Sequence, residues 1–131
     1  MKLEEIFSKQ VDDNILKETS PLMLAFIGDA VHTLFVRDTV VKQSSLLIKD
    51  YHKKAAEFCR AKDQASRLDL LVPTLSNKEL DIVRRARNAK TNNIAKHSDI
   101  ETYKKATSYE ALIGYLYLTA NYQRLNEILK I

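Results

Sequence analysis

Both glycines of this 131-residue chain lie beside an acid, in its two most apolar stretches. Gly28 directly precedes Asp29 in one stretch, and Gly114 follows Glu110 by one helical turn in the other. A glycine has no β-carbon, so a second backbone can approach it closely. The pattern therefore predicts two helices, each pairing an acid with a point of close backbone approach.

An acid in an apolar stretch needs a partner, because an unpaired buried carboxylate is costly and tends to protonate. Mg²⁺ prefers carboxylate and water oxygens, so Asp29 and Glu110 converging on one hydrated ion would remove that cost. Each acid also has a structural interpretation from its local sequence. Asp29 could be a satisfied acid within a helix, and Glu110 could close a capping box that begins at Thr107.

The composition favours an all-α fold in one domain, residues 1–131. Glycine and proline number two each, and 45% of the residues are apolar, which is enough for a core. Cys59 is the only cysteine, and the chain begins with no leader pattern. No apolar run reaches the roughly 18 to 20 residues that span a bilayer. We expect a cytoplasmic protein that does not enter membranes.

Capping signals divide the chain into helices. Ser20 before Pro21 predicts a helix that runs to about Lys42. Helical spacing predicts a second long segment from Ser44–Ser45 to about Val72–Pro73. The capping box at 76–79 predicts a short helix that ends near residue 88.

The last part of the chain predicts two further helices after a polar segment at 91–93. The first starts at Asp99 or Thr107, contains Glu110 and ends near Ala120. The second is short and covers 122–130.

The segment 82–98 carries no acid and is a candidate phosphate-binding surface. A basic segment is more often a solvated face, but its acid-free length favours contact with an anion. Its charged residues are Arg84, Arg85, Arg87, Lys90 and Lys96, with His97 beside them.

Several motifs together resemble the ribonuclease III family. Residues 24–31 resemble its signature helix, and residues 109–114 resemble its second acidic helix. Three further motifs look like the mini-ribonuclease III branch: Tyr51-His52-Lys53, Ala61-Lys62-Asp63-Gln64-Ala65, and Arg87-Asn88-Ala89-Lys90 followed by Asp99 and Tyr103.

The resemblance implies a homodimeric helical nuclease, without a separate RNA-binding domain, that cleaves double-stranded RNA. It implies Mg²⁺ as cofactor, with Mn²⁺ as a substitute, and Asp29 and Glu110 as catalytic and metal-binding residues. The branch is associated with maturation of the large-subunit (23S) ribosomal RNA precursor, and a ribosomal protein is a possible partner. The residues that we expect to contact RNA are His52, Lys53, Arg85, Arg87, Asn88, Lys90 and Lys96.

Two positions depart from the full-length family, which generally carries further acids where this chain has Ala25 and Thr107. Because the site has fewer carboxylates, an alternative function remains open: a non-catalytic module that binds double-stranded RNA or the ribosome. A helical adaptor or DNA-binding protein is a more distant alternative, because no helix-turn-helix pattern is evident. For the dimer interface, the candidates are Phe26, Phe35 and the pair Tyr115 and Tyr117.

Overall fold

Helices make up nearly all of the computed structural model, which describes residues 5, 7, 10–43, 48–89 and 99–130. No strand occurs in these ranges, in agreement with the predicted all-α fold. None of the helices described is long and apolar enough to cross a membrane. In chain order they are α1 (Asp13–Glu18), α2 (Pro21–Gln43), α3 (Ile48–Cys59), α4 (Ala61–Leu71), α5 (Asn77–Asn88), α6 (Ile100–Leu118) and α7 (Tyr122–Leu129), with a 3₁₀ turn at Val72–Thr74.

The central helices are α2 and α6, which pack against each other, while α4 and α5 also pack on α6. One face of α2 is buried at a spacing of four residues, which is the spacing of a helix face. That face consists of Leu24, Gly28, His32, Val36 and Val40. Helix α6 is buried almost all round, and between Ala106 and Leu116 only Glu110 is not buried. The acid thus lies where the central helix meets solvent.

Three predicted helix boundaries are confirmed. Helix α2 begins at Pro21, and the Ser20 hydroxyl accepts a hydrogen bond from the Leu22 N–H at 3.3 Å. Both halves of the capping box at the start of α5 form: the Glu79 N–H donates to Ser76 Oγ at 3.2 Å, and the Ser76 N–H donates to Glu79 Oε1 at 2.8 Å. Helix α5 ends at Asn88, as predicted.

The prediction of one long helix between residues 44 and 73 is wrong. The backbone at Arg60 is extended, with φ −68° and ψ 144°, and separates α3 from α4. The two helices serve different parts of the core: Ala55 of α3 packs with Val36 and Val40, whereas Leu68 of α4 packs in the main core. The predicted start at Ser44–Ser45 lies outside the described residues.

The remaining helices show where local signals were ambiguous. Asp99, not Thr107, caps α6, because its carboxylate accepts from the Thr102 N–H at 2.6 Å. Glu110 therefore lies in mid-helix, and its capping-box interpretation is wrong. Helix α1, capped by Asp12, was not predicted. Helix α7 occupies the predicted terminal position.

Candidate active site

Asp29 and Glu110 line one open cleft of about 400 Å³ between α2 and α6. Asp29 is exposed, and Glu110 is half-buried. The other residues of the cleft are Leu22, Ala25, Phe26, Tyr103 and Thr107. The structure thus brings together the two acids that the sequence singled out, although they are 81 positions apart (110 − 29).

The two glycines make this convergence possible. A β-carbon on Gly28 would lie 1.7 Å from the Glu110 carbonyl oxygen, and one on Gly114 would lie 1.9 Å from the Leu24 carbonyl oxygen. Real β-carbons do not approach backbone oxygens so closely, so only glycine fits at either position. The expected close backbone approach is present at both glycines.

The electrostatics of the cleft are unfavourable for two ionised carboxylates. Burial first, and then the hydrogen bond and negative charge of Asp29, raise the pKa of Glu110 from 4.5 to about 9. The metal-free pair therefore holds a proton at neutral pH. A divalent cation between the two groups would replace that proton and favour the ionised form of both.

The donor set fits such an ion, but it is small. The parts of the chain that the structure describes contain no group of three or more His, Cys, Asp or Glu side chains suited to a metal. Ala25 and Thr107, which stand where the full-length pattern has further acids, line the same cleft. The site therefore has two carboxylates where the full-length pattern has four acids. Two carboxylates with retained water still form a normal Mg²⁺ site.

Two buried polar residues lie behind the carboxylates. Gln64 of α4 is 3% exposed, and its Nε2 lies 3.3 Å from His32 Nδ1 of α2. Burial is the main cause that lowers the pKa of His32 from 6.5 to about 4, so its imidazole is neutral. Neither residue was predicted to belong to the site. The available signal was Gln64 inside one of the family motifs.

The expected RNA contacts on α3 lie towards the far end of α2 from the cleft. His52 and Lys53 are exposed. His52 lines a small pocket of about 180 Å³ together with Arg37. Arg37 lies eight residues along α2 from Asp29, or about 12 Å at 1.5 Å per residue.

The arginines of α5 are all engaged within the chain. Arg84 pairs with Asp81, and Arg87 pairs with Glu101, with Nη2 2.8 Å from Oε2. Arg85 donates to the carbonyls of Lys17 and Thr19, both at 3.1 Å, and so holds the end of α1. Asn88 is exposed, whereas Lys90 and Lys96 lie outside the described residues.

Of the residues considered for a dimer interface, Phe26 is 81% exposed. Tyr115 is 8% exposed and belongs to the core, and Phe35 and Tyr117 pack against that core. The structure therefore favours Phe26 over the other three.

Comparison with known proteins agrees with this geometry. A family model described as "Ribonuclease III domain" matches residues 22–121, which include both acids. A Mini-ribonuclease 3 from Thermoanaerobacter is 44% identical over 86% of this chain and 79% of its own length. Another from Brevibacillus brevis is 45% identical over 86% of this chain and 84% of its own. The crystal structure of a Fusobacterium nucleatum protein superposes with a TM-score of 0.80 at 30% identity, covering 87% of this chain and 91% of that one.

Proposed function

Because this chain belongs to the ribonuclease III family and is an endoribonuclease, we propose that it cleaves double-stranded RNA with Mg²⁺ held by Asp29 and Glu110. One observation carries the assignment of the site. Two helices deliver these carboxylates to one open cleft, where burial and the neighbouring Asp29 raise the pKa of Glu110. An arrangement that is unfavourable without a cation is typical of a metal site.

In this proposal, Asp29 and Glu110 would hold Mg²⁺, or Mn²⁺ as a substitute, with both carboxylates ionised. The bound ion would lower the pKa of a water molecule and stabilise charge on the scissile phosphate. The oxygen of a water molecule would form the new P–O bond as the bond between phosphorus and the 3′ oxygen breaks. The attacking water would release one proton to solvent, and the departing 3′ oxygen would take one up. The products carry a 5′-phosphate and a 3′-hydroxyl, and no covalent intermediate with the protein forms.

The proposed RNA surface combines exposed side chains of α3 and α5 with Lys90 and Lys96, which lie outside the described residues. Duplex RNA presents phosphates and 2′-hydroxyls across a shallow minor groove, so recognition depends mostly on charge and shape. Arg87 can exchange its exposed partner Glu101 for a phosphate at little cost, because surface ion pairs are weak. Arg85 supports the position of α5 instead. The proposed contacts are His52, Lys53, Arg87, Asn88, Lys90 and Lys96.

We also propose a homodimer that uses one face of α2. Positions 23, 26, 30, 34, 37 and 41 are spaced by three or four residues and are all exposed, so they form one stripe along the helix. Four of them are large apolar side chains that are 61–81% exposed, namely Met23, Phe26, Leu34 and Val41. A two-fold dimer would present two clefts, one for each strand of a duplex.

The resemblance to the mini-ribonuclease III branch is the basis for proposing one biological substrate. We propose that this chain acts in the cytoplasm as a single nuclease domain and cleaves the 23S ribosomal RNA precursor. A ribosomal protein bound to the same RNA is a possible partner. The non-catalytic alternative predicts binding of the same RNA without cleavage.

A cleavage assay with matched variants tests the proposal. Unmodified protein, Asp29→Asn and Glu110→Gln are incubated with a structured RNA duplex in Mg²⁺ or in chelator, and the product ends are mapped. We expect Mg²⁺-dependent cuts on both strands with 5′-phosphates, lost in both variants, while RNA binding persists. Cleavage by either variant would contradict the site assignment, and binding without cleavage by the unmodified protein would favour the non-catalytic module.

A further inference from the structure

A buried amide joins the three helices that surround the cleft. Gln64 extends from α4 towards both central helices, and its side chain is 3% exposed. Its Nε2 lies 3.3 Å from His32 Nδ1 on α2, and its side chain lies close enough to the Glu110 carboxyl group on α6 to act as a donor to it. One side chain therefore contacts both helices that carry the acids.

The chemistry of these groups fixes the direction of each hydrogen bond. An amide nitrogen can only donate, so His32 Nδ1 accepts and the imidazole proton is on Nε2. The same nitrogen carries a second N–H, which is available to a Glu110 oxygen.

His32 is itself held in place by packing. The residue is 2% exposed, and its ring meets the Tyr109 ring edge-to-face, with centroids 5.4 Å apart and planes at 84°. Tyr109 is fully buried and directly precedes Glu110 on α6. The imidazole cannot turn away from Gln64 without disturbing a close-packed core.

A buried polar pair of this kind is a poor device for stability alone. Replacing both partners of a buried hydrogen bond by apolar groups of similar shape is often neutral or stabilising. The pair has a clearer role beside a carboxylate that must point into a cleft. Groups that hydrogen-bond a metal ligand from behind set its orientation, and their loss typically weakens metal binding or activity by about 10- to 100-fold.

We propose that Gln64 is a positioning residue that aims the Glu110 carboxylate into the cleft, and that His32 fixes the orientation of the Gln64 amide. This inference rests on the proposed metal-binding role of Asp29 and Glu110. It also assigns a role to the Ala61–Ala65 motif, none of whose residues takes part in the proposed cleavage reaction.

Two variants test this relay, in which His32 orients Gln64 and Gln64 orients Glu110. Gln64→Leu removes both hydrogen bonds at similar volume, and His32→Phe removes the acceptor but keeps an aromatic ring against Tyr109. Binding of Mn²⁺ to the protein without RNA is measured by electron paramagnetic resonance. In parallel, cleavage is titrated with Mg²⁺, and RNA affinity is measured in chelator.

We expect the Kd for Mn²⁺ and the Mg²⁺ concentration for half-maximal cleavage to rise about tenfold or more in Gln64→Leu. His32→Phe should shift both in the same direction by less, because the amide remains. Cleavage at saturating Mg²⁺ should approach that of the unmodified protein, with RNA affinity in chelator unchanged. A purely structural role would instead reduce the folded fraction without moving the metal midpoint.

Ser108→Ala is the matched control, since this buried hydroxyl on α6 donates to the carbonyls of Val83 and Lys104, away from the cleft. It should lower the thermal midpoint without changing Mn²⁺ affinity. If Gln64→Leu does not fold, His32→Phe carries the test alone. Unchanged Mn²⁺ binding in the folded variants, with Asp29→Asn inactive, would overturn the relay only. An active Asp29→Asn would overturn the proposed function on which the relay rests.

Discussion

The backbone of Gly28 lies so close to Glu110 that a β-carbon at position 28 would be 1.7 Å from the Glu110 carbonyl oxygen. This contact joins the two central helices at the level of the cleft. It also fixes how far Asp29, the next residue, stands from the second acid. The packing of the core and the geometry of the site therefore both depend on the contact between Gly28 and Glu110.

Gly28→Ala should accordingly destabilise the protein. Glycine to alanine in a helix normally stabilises by up to about 1 kcal/mol, but here the added carbon forces the helices apart, which costs about 3 kcal/mol or more. Urea unfolding of the metal-free protein measures the change. Ala30→Gly, at an exposed position of the same helix, is the control and should cost about 1 kcal/mol. A stabilised Gly28→Ala protein would contradict the close packing.

These glycines show how much of the site the sequence could predict. A glycine beside an acid in an apolar stretch is a local signal, and the structure brings both acids to one cleft through it. The break at Arg60 has no such signal, because neither glycine nor proline is present and α4 turns only to bury its own face on α6. Local spacing cannot reveal a bend that tertiary packing imposes.

The basic segment shows the same limit of sequence-based prediction for charged side chains. The absence of acids between 82 and 98 is visible in the sequence, but the partners of Arg85 are carbonyls 66 and 68 positions away. Arg87 finds Glu101 only because α6 returns beside α5. Sequence identifies where charge is concentrated, and the fold decides which charges are already engaged.

The proton held at the two acids predicts a pH-dependent stability in the metal-free protein. The pKa of Glu110 is about 9 in the folded chain and 4.5 in the reference state, so the unfolded chain releases this proton first as pH rises. The free energy of unfolding should therefore fall between about pH 4.5 and 9. Urea unfolding in chelator across this range checks the slope.

Glu110→Gln removes the titrating group and should flatten this part of the profile. Asp29→Asn should flatten it only in part, because burial is the larger cause of the shift. Added Mg²⁺ should stabilise the unmodified protein in the upper part of the range by replacing the proton. Equal slopes in the unmodified protein and Glu110→Gln would show that Glu110 ionises normally.

The lean donor set predicts that the site can be strengthened. Thr107→Asp adds a third carboxylate to the lining of the cleft at nearly unchanged volume. Mg²⁺ affinity without RNA should rise about tenfold or more, since a unit charge about 4 Å away contributes roughly 1–4 kcal/mol in a partly solvated site. Isothermal titration calorimetry measures this affinity. Thr107→Asn is the uncharged control, and equal affinities in both variants would mean that position 107 does not reach the ion.

The exposed stripe on α2 predicts where a dimer can be disrupted. Leu34 is 63% exposed and lies near the middle of the stripe, so Leu34→Lys should convert a dimer to a monomer. Leu70, which is 80% exposed on α4, is the control: Leu70→Lys adds the same charge away from the stripe and should leave the dimer intact. Light scattering after size exclusion gives the mass. A monomeric unmodified protein, or a dimeric Leu34→Lys protein, would remove this face as the interface.

The different engagement of Arg85 and Arg87 predicts opposite effects of two similar substitutions. Arg87→Ala should weaken duplex RNA binding and reduce the magnitude of the salt slope by about one, as expected when one phosphate contact is lost. Its exposed ion pair with Glu101 contributes at most about 1 kcal/mol, so stability should change little.

Arg85→Ala should do the reverse. It leaves the carbonyls of Lys17 and Thr19 without their charged donor, which costs about 1–3 kcal/mol of unfolding free energy, while the salt slope of RNA binding stays the same. Fluorescence anisotropy over a range of KCl concentrations and urea unfolding measure the two properties. A reduced slope in Arg85→Ala at unchanged stability would mean that RNA displaces α1 from this guanidinium, and the RNA surface would then extend across the α1–α5 contact.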